Sequence, residues 1–222
     1  MRACSPNIGS ENTLTKRVAE KLQVEAPAPE AAPVADAPPA PTTAPIDHAA
    51  YVGIRDMDTL NGWIATIRER GYVAVDTETT SLDEMQAELV GISLAVIPGK
   101  AAYVPVGHKS GGGDLFGAAK LVADQLPLDD VLAALKPVLE DASILKIGQN
   151  LKYDTKIFAR LGVDVQPIDD TMLMSYAMHA GVHNHGMDVL SETYLGHTCI
   201  PIKSLLGSGK SQITFDKVAI DD

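Results

Sequence analysis

"VAVDTETTSL", residues 73–82, sets two carboxylates one residue apart directly after a short apolar run. Residues 72–76 read as a strand with its apolar part buried. In an extended chain, side chains i and i+2 leave the same face. Asp76 and Glu78 therefore point the same way and crowd each other unless a cation lies between them. An ordinary alternative is a strand that ends in a solvated loop, where Asp, Glu and Thr are common. The dipeptide spacing alone does not separate the two readings, so the flanking chain has to.

Working outward, the pattern is α/β. Upstream, a helix over 58–70 places Leu60, Trp63, Ile64 and Ile67 on one face, and Gly71 stops it. Downstream, strands are expected at 88–96 and 101–106, made into a hairpin by the "PGK" turn at 98–100. Residues 107–114, "GHKSGGGD", read as a flexible loop. A helix at 129–140 leads to a strand at 143–148. Beyond it come a helix at 150–161, a short strand near 163–165, and helices at about 169–180 and 187–195. The expected fold is a mixed sheet, an antiparallel hairpin joined to parallel strands, with helices on both faces.

A second group of polar residues stands in "KIGQNLKYD", residues 146–154. The strand ends at Gly148, and Gln149, Asn150, Tyr153 and Asp154 fall on the opening turns of the next helix. Asn150 and Asp154, four apart, would leave one helical face. Open α/β sheets place ligands where a strand ends and a helix begins. Taken singly, Asn150 is equally an N-cap and Asp154 equally a solvated helix residue.

Composition bounds the function. The chain has 222 residues, is 45% hydrophobic and carries a net charge of −11. Residues 51–222 hold −9 of that, too acidic to grip duplex nucleic acid by general electrostatics. A few nucleotides could still be held through bound divalent metals, whose charge reverses the local field. Cys4 and Cys199 are the two cysteines, which fits a reducing, cytoplasmic setting without a disulfide framework. No signal-like apolar core and no long apolar run occurs, so a soluble, non-membrane monomer is expected. Residues 26–45 contain eight Ala and seven Pro, a linker composition. Before it, Leu14, Val18 and Leu22 suggest a short helix over 11–22.

Together, D-x-E at 76–78 and N-x-x-Y-D at 150–154 resemble the DEDD superfamily of 3′→5′ exonucleases, and within it the proofreading domains of bacterial DNA polymerase I. "VDTETTSLD" (75–83) and "GQNLKYD" (148–154) carry the likeness. "DTMLMSYAMHAGVHNHGMDVLSETYLGH" (170–197) and "GKSQITFDKVAI" (209–220) extend it over residues 51–222. The resemblance implies a ribonuclease H-like fold and two-metal hydrolysis, by Mg²⁺ or Mn²⁺, of nucleotides from single-stranded DNA 3′ ends. It implies that Asp76 bridges both metals, that Glu78 holds the one that generates the nucleophile, and that Asp154 supports the second through water. Gln149, Asn150 and Tyr153 would contact the terminal nucleotides. Leu82 is either a wedge against the terminal base or a core leucine anchoring its loop. His185 is implied as a phosphate contact, although Asn184 replaces the basic residue common just before it.

The same resemblance divides the chain into 1–25, the remnant of an upstream 5′-nuclease-like domain, the linker 26–50, and the exonuclease domain 51–222, with a polymerase domain of the full-length chain as partner. Its third motif, Y-x3-D, does not occur after residue 154. That motif is expected just beyond residue 222, with a last helix beginning near Phe215, so the 222 residues alone are expected to be inactive or nearly so. His183 and Asp188 match an H-x4-D spacing but sit in text of the polymerase I type. Asp170 and Asp188 read as helix N-terminal residues. Met172, Met174 and Met178 read as packing. An exoribonuclease of the same superfamily and a non-catalytic scaffold remain the alternatives.

Overall fold

Apolar character alternates along residues 73–77, and the strand it builds runs on through the acidic pair. The computed structural model describes Lys21 and residues 47–110 and 119–221. Residues 26–46 of the linker and, Lys21 apart, the helix expected over 11–22 lie outside the described residues. In chain order the elements are β1 (Val52–Gly53), α1 (Met57–Arg70), β2 (Tyr72–Thr79), β3 (Leu89–Ile97), β4 (Lys100–Pro105), β5 (Lys109–Ser110), β6 (Lys120–Leu121), α2 (Leu128–Leu139), β7 (Leu145–Gly148), α3 (Lys152–Arg160), β8 (Ile168–Asp170), α4 (Thr171–His179), α5 (Met187–Leu195) and α6 (Ile202–Leu206). Short 3₁₀ turns stand at Gly209–Ser211 and Phe215–Lys217. Residues 47–171 and 200–221 belong to one compact unit and residues 172–199 to a second.

The main sheet has the order β1-β4-β3-β2-β7-β8. β2, β3 and β4 are antiparallel neighbours, while β1–β4, β2–β7 and β7–β8 are parallel. This is the mixed sheet the sequence led us to expect. Register divides its faces. Val75 pairs with Leu94 and Leu94 with Ala102, and Thr77 pairs with Ile92 and Ile92 with Val104. These residues are buried, with Val73 and Val96, against Leu60, Trp63, Ile64 and Ile67 of α1 and Val131, Leu135 and Val138 of α2. Burial of each large side chain contributes about 2 kcal/mol before chain entropy is counted. α1 itself starts at Asp56, whose carboxylate accepts the Thr59 N–H at 2.7 Å, and ends at Gly71, left-handed at φ 72°.

On the opposite face, Asp76 pairs with Ser93 and Ser93 with Tyr103, while Glu78 pairs with Gly91. That half-buried face is where the acids lie. β2 was expected to stop at residue 76, but it continues to Thr79 because β3 supplies hydrogen-bonding partners as far as Leu89.

Several further expectations need correction. The segment at 107–114 is not all loop: Lys109–Ser110 pairs with Lys120–Leu121 as a two-stranded ribbon. No strand forms at 163–165. There the Gln166 N–H donates to Leu139 O at 3.0 Å and the Asp164 N–H to Glu140 Oε1 at 2.9 Å. The end of α2 therefore takes those amides from the sheet, and pairing resumes in β8 at Ile168–Asp170. Phe215 begins a single 3₁₀ turn, not a longer helix.

Lys146, in β7, is fully buried. Its ammonium donates to Ile144 O at 2.6 Å, Asp141 O at 2.9 Å, Val138 O at 3.4 Å, and also to Gln166 O. Burial pushes its pKa below the usual lysine range, and the four carbonyls compensate its charge. Lys146→Met keeps the bulk but strands those carbonyls, so we expect about 2–4 kcal/mol of destabilisation. Urea unfolding of wild type and variant measures it. A loss under about 0.5 kcal/mol would show that the carbonyls find other partners.

Candidate active site

β7 pairs with β2 only from Tyr72 to Ala74. Beyond that point the free edge of β2 needs another acceptor, because a buried unpaired amide costs as much as a lost hydrogen bond. Asp154, in the first turn of α3, provides it. Its Oδ1 accepts the Thr77 N–H at 3.0 Å and the Thr77 hydroxyl as well. Thr77 and Asp154 are 8% and 4% exposed, so this is a buried closure between the two acidic segments. The sequence reading passed over Thr77. Its signal is positional: it is the x of D-x-E, facing the core while its neighbours face the cleft.

Gly148 allows the strand ends to meet. A Cβ there would stand 2.8 Å from Val75 O and 2.5 Å from Leu151 Cδ2, closer than real contacts allow. The chain then turns through Asn150, which has φ 60°, a conformation Asn tolerates better than most residues. Asn150 is thus outside α3 and does not share a helical face with Asp154. Asp170 holds this turn, accepting Asn150 N–H at 3.0 Å and Leu151 N–H at 2.9 Å. Asp170 stands immediately before α4, as expected of a helix N-terminal residue, and it also closes the turn before α3. Asp188 does lie in the first turn of α5.

Tyr153 projects from the same turn of α3. Its hydroxyl bonds Ser81 O and the Thr79 hydroxyl, tying α3 to the loop that follows β2. That loop presents Leu82, which is 94% exposed, so Leu82 is not a core leucine. Asp76, Glu78, Leu82, Gln149, Asn150, Tyr153 and Asp154 all line one cleft of about 590 Å³. Its other wall comes from Ile202, Leu206 and residues 212–215. Gln149 is held by the Thr171 hydroxyl, which donates to its Oε1. His185 belongs to the second compact unit, where its Nδ1 lies 2.8 Å from Ser175 Oγ. His183, in the same unit, packs among His179, His185 and Tyr194.

Electrostatics set the acids apart from surface carboxylates. Burial, then the charge of Asp154, raises the Asp76 pKa to about 6. Burial, then the charges of Asp76 and Asp154, raises that of Glu78 to about 7. Asp154 is also raised, chiefly by burial, although its bonds to Thr77 oppose this. Among the described residues no three His, Cys, Asp or Glu side chains stand together so as to hold a metal ion. The adjacent pair Asp76 and Glu78 nonetheless fits a hard divalent cation: both are oxygen donors, and their shared charge is unfavourable without one.

A family model described as 3′-5′ exonuclease matches residues 51–219. DNA polymerase I of Rhizobium leguminosarum is 55% identical over 188 residues, covering 81% of this chain and 18% of that protein. DNA polymerase I of Pseudomonas aeruginosa is 41% identical over 174 residues, covering 77% and 18%. The chain thus spans under a fifth of the length of these curated relatives. Among solved structures, Escherichia coli RNase D, described as an exoribonuclease involved in structured RNA processing, has a TM-score of 0.50 at 22% identity. That match covers 71% of this chain and 36% of that one, and is a likeness of fold.

The raised pKa values give a pH prediction. Asp76 and Glu78 have ordinary values of 3.8 and 4.5 and higher ones when folded. Their protonated forms are therefore favoured by folding, and this stabilisation is lost as pH rises through about 6–7. Without metal, the thermal midpoint should fall between about pH 5 and pH 8, and Mn²⁺ should restore it most at the higher pH. D76N/E78Q should flatten both responses. Equal pH slopes in that variant and in wild type would remove the two acids from the explanation.

Proposed function

The chain belongs to the 3′-5′ exonuclease family, and on that premise we propose that it removes nucleotides from the 3′ ends of single-stranded DNA as the proofreading region of a bacterial DNA polymerase I. The observation that carries this reading is the gathering of Asp76, Glu78 and Asp154 in one cleft whose rim bears the exposed Leu82. In this reading the protein works in the cytoplasm, joined to a polymerase region.

Asp76 and Glu78 would hold divalent cations, Mg²⁺ or Mn²⁺, with Asp154 supporting them through the oxygen that Thr77 does not use. Bound there, the metals would supply positive charge on both sides of an in-line displacement at phosphorus. The chain's own residues position the substrate. Tyr153 holds the 79–82 loop in place, so Leu82 meets the terminal base at a fixed height above the acids. Gln149 and Asn150, on the tight turn after Gly148, face the same cleft and offer amides to the terminal nucleotides. The resemblance adds His185 as a phosphate contact. With residues 51–222 carrying −9, affinity for duplex has no general electrostatic source. A threaded single strand gains instead from local stacking and apolar contact.

DNA is favoured over RNA because the relatives with extensive identity are DNA polymerases, whereas the likeness to RNase D is one of fold. Fluorescence anisotropy tests the proposal with Mn²⁺ and four probes: linear single-stranded DNA, closed circular single-stranded DNA, blunt duplex and linear RNA. Linear DNA should bind best, Asp76→Ala should abolish the Mn²⁺ dependence, and Leu82→Ala should weaken binding by about 1–2 kcal/mol. Circular DNA bound as tightly as linear would refute end recognition. A preference for RNA would move the assignment to the exoribonucleases.

A further inference from the structure

His108 is a titratable side chain the acidic cleft does not use, yet it is only 1% exposed. It follows β4 and is bound at every polar atom. Its Nδ1 lies 2.9 Å from Val218 O and its Nε2 lies 2.7 Å from Tyr103 Oη. A carbonyl can only accept, so Nδ1 carries the proton, and Nε2 then accepts the Tyr103 O–H. Gln125 secures the backbone: its Oε1 accepts the His108 N–H at 2.9 Å and its Nε2 donates to His108 O at 3.0 Å. The ring sits between Tyr103, edge-on at 5.7 Å, and Phe215 at 6.0 Å.

Each end of this bridge adjoins residues of the cleft without lining it. Tyr103 shares the sheet face of Asp76 and Glu78, by the register already described. Its ring crosses Gly91, the partner of Glu78: a Cβ at Gly91 would stand 2.0 Å from Tyr103 Oη. At the other end, Val218 closes the 3₁₀ turn Phe215–Lys217, and Phe215 lines the cleft with the acids. Asp216 in that turn is tethered as well, 3.8 Å from Lys109 Nζ.

We propose that His108 is a positioning residue: braced by Tyr103 over Gly91, it clamps Val218 and so sets the distance between the Phe215 wall and the acidic face where a 3′-terminal nucleotide sits. The inference rests on the exonuclease reading for its ligand. The clamp itself rests on the hydrogen bonds alone. The two ring nitrogens can be replaced separately. His108→Asn places an N–H near the Nδ1 position and keeps a donor for Val218. His108→Gln places a polar group near the Nε2 position, keeps a partner for Tyr103 and cannot reach Val218.

The test uses the 222-residue chain, with Mn²⁺ and a linear single-stranded deoxyoligonucleotide as probes and hydrogen–deuterium exchange read over residues 213–219. Loss of the Val218 bond in His108→Gln should weaken oligonucleotide binding about fivefold to tenfold and speed exchange at 215–219. Mn²⁺ affinity should stay within about twofold of wild type. His108→Asn should recover both oligonucleotide affinity and slow exchange, even where its thermal midpoint matches that of the Gln variant. If affinity follows the thermal midpoint in both variants alike, or if the Gln variant binds and exchanges like wild type, the proposal is wrong. Should wild type bind no oligonucleotide while exchange still separates Asn from Gln, the clamp stands and the exonuclease reading falls.

Discussion

The carboxylate of Asp154 against the backbone of Thr77 is the contact on which the site depends. It exists because β7 leaves β2 after Ala74, opening an edge that must be satisfied from elsewhere. A side chain closes it, and that side chain is an acid from the start of α3. One bond thereby fixes the distance between two segments 77 residues apart in the chain. The D-x-E pair and the Y-D pair share a cleft because the sheet runs out of strand at that level.

What surrounds this contact keeps it from relaxing. Gly148 lets β7 end close against Val75, Asp170 gathers the amides of Asn150 and Leu151, and buried Lys146 ties β7 to Val138 at the end of α2. Each is a buried polar group or a close approach with its compensation in place. The exception is the carboxylate pair, Asp76 and Glu78. Burial and the negative charge of neighbouring carboxylates both work against their ionised forms, holding their pKa values up at about 6 and about 7.

Much of this was legible in the chain. α1 follows from the spacing of Leu60, Trp63, Ile64 and Ile67 and from the Gly71 stop, both local signals. The hairpin β3–β4 follows from Pro98 and Gly99 between two alternating runs. Seven of the residues singled out from two motifs line one cleft, since strand parity and a short βα turn are also local rules. His185, singled out by resemblance, belongs to the second compact unit. Errors came where a distant partner overrode the local pattern. Residues 163–165 look like strand, but Val163 N–H donates to Phe158 O and Asp164 N–H to Glu140 at the end of α2. Asn150 looks like part of the following helix, but Asp170 holds it in a turn before α3.

By itself, the sequence determined the element types, the common face of Asp76 and Glu78, the acidic balance that disfavours duplex, and the family. These depend on side-chain period, charge and motif, which neighbouring residues carry. Only the tertiary structure decided that Leu82 stands in solvent, that Thr77 locks Asp154, and that His108 joins Tyr103 to Val218, itself 110 residues further on. Those outcomes depend on where strands stop and which backbone atoms are then left without partners. That is a property of the assembled sheet, and no window of sequence contains it.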